Sequence, residues 1–278
     1  MKKLTTLFLA GLVLTATLAG CGQKTDQEAT ATDAGGTPVV LKVGATPIPH
    51  EELLKFVAPK LEEQGVKLEI VTFTDYVQPN AALADGQLDA NFFQHLPYLE
   101  SYNESNGTKL VSVGNIHLEP LALYSKKVKS VDELSDGATI AIPNDPTNCG
   151  RALILLQSKG IIKLSDQAGL EATEKDIVEN AKNFTFKPVE AAQLPRILEE
   201  VDGAVINGNY AIESSLVPTT DALLLTATGE DRVLEGSESP YADNKDSEAV
   251  KKLVEVLQSE DVKAFIAEHY NGGVVPAF

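Results

Sequence analysis

The strongest constraint on the fold is a repeated change of hydrophobic period in residues 39–92. Val39-Val40-Leu41-Lys42-Val43-Gly44 is an apolar run ending in glycine, the mark of a buried strand. Residues 51–64 then carry Leu53, Leu54, Val57 and Leu61 at helical spacing, with Pro59 inside and Gly65 at the end. Residues 68–73 alternate like a strand, 76–85 read as a short helix closed by Gly86, and 88–92 as another short strand. Strands alternating with helices in this order call for a parallel sheet with crossover helices, a doubly wound α/β layer.

The pattern then starts again. Strands are expected at 110–114 and 118–124, a short helix from Val131, and a buried strand at 138–143. A strongly apolar helix follows at 149–159, stopped by Gly160, then a strand at 183–189, a helix at 192–199 and a buried strand at 203–207. Residues 247–258 and 261–268 are amphipathic closing helices. About 240 folded residues suit two medium units. The expected division is residues 39–122 plus 218–278 in a first lobe and 123–217 in a second.

The N-terminus is of another kind. Lys2 and Lys3 precede an apolar run over residues 4–18, closed by Leu18-Ala19-Gly20-Cys21. The run is too short to span a bilayer and reads as a secretory signal, residues 1–20. A cysteine directly after small residues resembles the bacterial lipobox, in which that cysteine is lipidated and becomes the new N-terminus. Cys21 would then anchor the chain on the extracytoplasmic face of the cell membrane. A plain cleaved signal with a coincidental cysteine is the rival reading. Residues 21–38, rich in Thr, Ala, Gly and Asp, are expected to be a flexible tether.

Removing residues 1–20 leaves 21 Lys and Arg against 40 Asp and Glu, a net charge of −19. Such a surface repels nucleic acid and anionic lipid headgroups. With Cys21 lipidated, Cys149 has no partner for an intramolecular disulfide.

Several residues are placed for chemistry. Asn144-Asp145-Pro146-Thr147-Asn148 joins a strand to a helix, and Arg151 is expected on that helix's first turn. A guanidinium beside free N–H groups is a good carboxylate receptor. A surface arginine paired with a nearby acid is the plainer reading. Asn91-Phe92-Phe93-Gln94-His95 stands at a strand's carboxyl end, where α/β sheets bind ligands. Asp75 is a natural helix cap, and Tyr76 either covers an apolar ligand or packs in the core. His117 lines a cleft or sits on its rim. Asn207, before Gly208-Asn209-Tyr210, ends a buried strand and is either a polar contact or a turn residue. No cysteine or histidine cluster has zinc spacing, so no metal or cofactor is expected. There is no glycine-rich phosphate loop and no nucleophile elbow.

The segments Asp75-Tyr76-Val77-Gln78-Pro79-Asn80, Asn91-Phe92-Phe93-Gln94-His95, Asn144-Asp145-Pro146-Thr147-Asn148, Gly150-Arg151-Ala152-Leu153 and Val205-Ile206-Asn207-Gly208-Asn209-Tyr210 resemble, in that order, the MetQ/NlpA family. The likeness runs from the lipobox to the closing Tyr270-Asn271-Gly272-Gly273. These are methionine-binding lipoproteins of ABC importers. The resemblance implies a two-lobed periplasmic-binding-protein-like α/β fold with the ligand cleft between the lobes. It also implies capture of L-methionine, and in some members D-methionine, for delivery to ABC permease subunits, with no catalysis. By the same resemblance Tyr76, Phe93 and His95 line the cleft from the first lobe. His117, Arg151 and Asn207 complete it, with Arg151 taking the carboxylate and the aromatics flanking the thioether.

The chain departs from the family after Ser239-Pro240-Tyr241, where a full strand carrying a ligand-contacting asparagine is missing. A sheet position in the first lobe is therefore expected to stand unfilled, with Asn244 a weak substitute. That loss supports an alternative: a surface lipoprotein acting through protein contacts with a degraded pocket. An enzyme on the same scaffold is a third reading. Cys149 is also unusual, and a free thiol is expected at the cleft's edge.

Overall fold

The computed structural model describes residues 38–226 and 244–278, and the backbone of 230–237. The signal, Cys21 and the tether up to residue 37 lie outside the described residues, as do 227–229 and 238–243.

β1 (Val39–Ala45) buries Leu41, Val43 and Ala45 and leads through a turn at 47–51 into α1 (Glu52–Glu63). α1 ends before Gly65, whose φ of +76° an L side chain rarely adopts. β2 (Val66–Thr72), α2 (Gln78–Ala84), β3 (Ala90–His95), α3 (Leu96–Asn106) and β4 (Leu110–Glu119) complete the first stretch. β1 runs parallel to both β2 and β3, as the alternation requires. β4 is one continuous strand over an interval where the sequence pattern breaks at Asn115.

β5 (Ala122–Tyr124) begins the second sheet after Glu119-Pro120-Leu121. β6 (Thr139–Pro143), α4 (Pro146–Ser158), a small hairpin of β7 (Lys163–Leu164) and β8 (Ile177–Glu179), then β9 (Thr185–Val189) and β10 (Gly203–Ile206) follow. After them come α5 (Gly208–Glu213), α6 (Pro218–Asp221) and β11 (Leu224–Leu225). β11 pairs with β5, so the second sheet reaches beyond the 123–217 interval at both ends. The helix expected at 192–199 is a short 3-10 turn at Ala191–Gln193 followed by further turns. Pro195 supplies no backbone N–H there, and the bonds of Arg196 and Glu200 run to carbonyls three residues back.

β12 (Glu230–Ser237) then re-enters the first sheet, and α7 (Glu248–Leu257), α8 (Glu260–His269) and β13 (Val275–Pro276) close the chain. The first sheet has the order β13-β4-β12-β3-β1-β2, and the second β11-β5-β10-β6-β9. β12 runs antiparallel to both neighbours, from Glu230 opposite Glu119 to Ser237 opposite Leu110. The sheet position expected to stand unfilled is therefore filled, by residues that precede Ser239 rather than follow Tyr241. The degraded-pocket reading loses the observation that favoured it. Asn244 donates its side-chain amide to the carbonyl of Asp89, just ahead of β3.

Each sheet has its own core. Leu53, Leu54, Val57 and Leu61 of α1 pack with Val250, Leu253 and Leu257 of α7 and with Val262 and Ile266 of α8 over one face of the first sheet. Burying one such side chain contributes about 1.5–3 kcal/mol. In the second unit, Leu153, Leu155 and Leu156 of α4 pack on Ile140 and Ile142 of β6, while Tyr124, Ala204 and Ile206 face Leu194, Leu198 and Tyr210 on the other side.

Candidate functional site

α4 starts earlier than its apolar run suggests. Asp145 is its cap, with Oδ1 accepting the N–H of Asn148 at 2.9 Å, and Pro146 opens the first turn. Arg151 therefore lies on the second turn, not the first, and Asn148, three residues earlier, shares its face. The helix is seated by Gly150. A Cβ there would meet the carbonyl oxygen of Leu170 at 1.9 Å, so only glycine lets the 165–172 segment lie this close.

Three donors converge on Oδ1 of Asn148. Arg151 Nη1 is 2.7 Å away, Asn207 Nδ2 2.8 Å and His95 Nε2 3.1 Å. The proton positions follow from the network. His95 caps α3 and accepts the N–H of Tyr98 on Nδ1, which leaves Nε2 as the protonated nitrogen that donates. Asn148 Nδ2 donates to both oxygens of Asp145 at 2.9 and 3.1 Å, which fixes the amide's orientation. Burial pushes the Asp145 carboxyl above its ordinary range, opposed by the bonds from Asn148 and Thr147 and by the charge of Arg151.

Rings flank this point. Tyr76 lies 5.8 Å from Phe93, 6.0 Å from Tyr98 and 4.9 Å from Tyr210 between centroids. The Tyr76 hydroxyl donates to Asn209 Oδ1, and that of Tyr98 to the Tyr76 carbonyl at 2.9 Å. Burial raises the Tyr98 phenol well above its usual value, so it stays protonated. Tyr76, Phe93, Gln94, His95, Tyr98, Asn148 and Asn207 line one pocket. Asn91, Asn80 and Gln94 form a buried amide network behind β3 that ties this strand to α2.

Tyr76, Phe93, His95 and Asn207 are thus brought to one pocket, and Arg151 reaches it through Asn148. His117 and Asn244 are not among the pocket's lining residues; His117 sits with His50 and Glu119. Sequence reasoning missed Asn148 and Tyr98 as site residues, although each stands three residues from a chosen residue at a helix start. Asn209 figured only as a neighbour of Asn207.

Cys149 points into the core under α4 rather than to the cleft's edge. Burial, with the charges of Glu174 and Asp145, pushes its thiol up to about 11. In a Cys21→Ser protein at pH 8, a disulfide reagent is expected to label native Cys149 at least about 100-fold more slowly than the denatured chain. Equal absorbance time courses would contradict this placement.

Two α/β sheets joined by crossing segments, with a polar and aromatic pocket, define a two-lobed periplasmic-type binding protein. The family described as NlpA lipoprotein matches residues 41–278, and the chain belongs to it. The D-methionine-binding lipoprotein MetQ of Salmonella typhimurium is 44% identical, the match covering 96% of this chain and 95% of that one. A nutrient binding protein from Burkholderia cenocepacia, solved bound to methionine, has a TM-score of 0.81 and 45% identity, covering 86% of this chain and 100% of its own. An ABC transporter periplasmic substrate-binding protein from Coxiella burnetii has a TM-score of 0.80 and 40% identity, covering 85% and 100%.

Proposed function

We propose that this protein captures free methionine in the pocket at Asn148 and hands it to the permease of an ABC importer. The single observation that carries the reading is the meeting of Arg151, Asn207 and His95 on one oxygen. These are the donors that a carboxylate needs, two of them neutral and one a fixed cation. An incoming amino acid takes those donors over from the Asn148 oxygen. Its thioether then lies among Tyr76, Phe93 and Tyr98, where sulfur–ring contacts are favourable.

The lobes of this reading are the two sheets with their covering helices, and the crossing near Pro120 belongs to the hinge. His117, beneath that crossing, supports the cleft rather than touching the ligand. Residues 1–20 act as a signal, and lipid on Cys21 holds the protein on the extracytoplasmic face of the cell membrane. The protein binds and releases and carries out no reaction on its ligand. The names of the relatives support this reading.

The test is thermal unfolding with L- and D-methionine. At a hundredfold excess over Kd, mass action adds about 2.7 kcal/mol and raises Tm by about 5–10 °C for a chain of this size. A melting curve that neither enantiomer moves would refute the reading.

A further inference from the structure

A second cluster of polar side chains lies at the end of β4, outside the pocket. His117 and Glu119 stand two apart on the strand and so share a face. His50, from the turn at 47–51, comes to meet them, and all three are fully buried. Glu119 Oε1 lies 2.8 Å from His117 Nε2 and 3.4 Å from His50 Nε2, and one donor atom from each residue fits within 4.8 Å of the others. A tetrahedral ion with bonds of about 2.0–2.1 Å spaces its ligands about 3.3 Å apart. The observed separations lie on either side of that spacing.

Two of the three residues have outer hydrogen bonds of the kind that orient metal ligands. Thr46 Oγ1 holds Nδ1 of His50 at 2.8 Å, which turns Nε2 towards the cluster. The N–H of Asn209 holds the other oxygen of Glu119 at 2.8 Å. Phe92 stands edge-on to both imidazoles, at 4.7 and 5.4 Å, and forms an apolar wall. Such outer bonds orient ligands and fix ring tautomers. Two imidazoles and one carboxylate suit zinc, cobalt or nickel, not calcium or magnesium, which take more oxygens.

We propose that His50, His117 and Glu119 form a buried binding site for a divalent transition-metal ion of the zinc class. The ion takes the place of the hydrogen between His117 and Glu119, and His117 carries its proton on Nδ1 instead. The site braces the exit of β4 just before the chain crosses to the second sheet. Through Asn209, which also accepts the Tyr76 hydroxyl, it is linked to the pocket wall. It does not depend on which solute the pocket takes.

The test uses chelator-stripped full-length protein, with zinc or cobalt supplied both to the folded protein and during refolding because the ligands are buried. The expected result is one tightly held ion per chain, visible d–d bands with cobalt, and a Tm rise of about 5 °C or more with zinc at a hundredfold excess over Kd. His50→Gln and His117→Gln should each weaken binding at least tenfold, whereas His269→Gln on the surface should not. Absence of stoichiometric binding, or loss of the ion on His95→Gln with His50→Gln unaffected, would overturn the proposal. Should the His50 or His117 variant fail to fold, zinc-edge X-ray absorption of the wild-type protein decides: two imidazoles with oxygen support the site, and fewer imidazoles or a sulfur neighbour sink it.

Discussion

Arg151→Ala is expected to raise the dissociation constant for methionine by two orders of magnitude or more in calorimetry. Arg151 is 7% exposed and has the one fixed positive charge among the three donors that meet at Asn148. Removing it leaves an incoming carboxylate buried with only neutral donors. Stripping one partner from a buried charge pair typically costs about 3–5 kcal/mol, a factor of roughly 10² to several times 10³ in affinity. Arg151→Lys should recover part of this, because an ammonium restores the charge but not the planar fork. An unchanged dissociation constant for the alanine variant would remove Arg151 from the site and the carboxylate with it.

Gly150→Ala should be the most destabilising small substitution on α4. The added methyl would lie 1.9 Å from the Leu170 carbonyl oxygen and 2.9 Å from the Ala172 nitrogen. Both are backbone atoms and cannot swing aside, so α4 or the 165–172 segment must shift. Overpacking of this kind costs about 1–3 kcal/mol and occasionally more. At the upper end of that range, Tm should fall by about 6 °C or more for a chain of this size. Because α4 carries Asn148 and Arg151, methionine affinity should fall as well. A variant with native Tm and native affinity would show that the helix is not seated as described.

The elements most legible in sequence are those whose apolar period runs uninterrupted. β1, α1, α7 and α8 fall where that period places them, since burial on one side dictates both the pattern and the element. In α1 the buried face is Leu53, Leu54, Val57 and Leu61, the same four residues that mark the helix in the sequence. Legibility fails where partners distant in sequence decide the structure. β4 runs unbroken through Asn115 because β12 pairs with it along its length, and nothing local to residues 110–119 shows that. The turns after Ala191 carry apolar residues at helical spacing, but Pro195 has no N–H to offer Ala191, and bonds to carbonyls three residues back alternate with those four back at Ile197 and Val201 instead of forming a continuous helical ladder. In the site, His95 stands out as a titratable group at a strand's end and Arg151 as a charge in an apolar helix. Asn148 does not, because an amide three residues from a helix start looks like turn chemistry until Asn207 arrives from the end of β10 to meet it. His50 has no neighbour in sequence that hints at His117.

The first sheet is assembled from both ends of the chain, with β12 between β3 and β4. During synthesis β3 and β4 leave the ribosome long before the strand that separates them, whereas the strands of the second sheet all lie within residues 122–225. The second unit can therefore mature while the first still waits for its middle strand. A nascent chain of this design leaves its first sheet incomplete until residues 230–237 and 275–276 have been made, a long-range dependence that slows its locking relative to the second sheet.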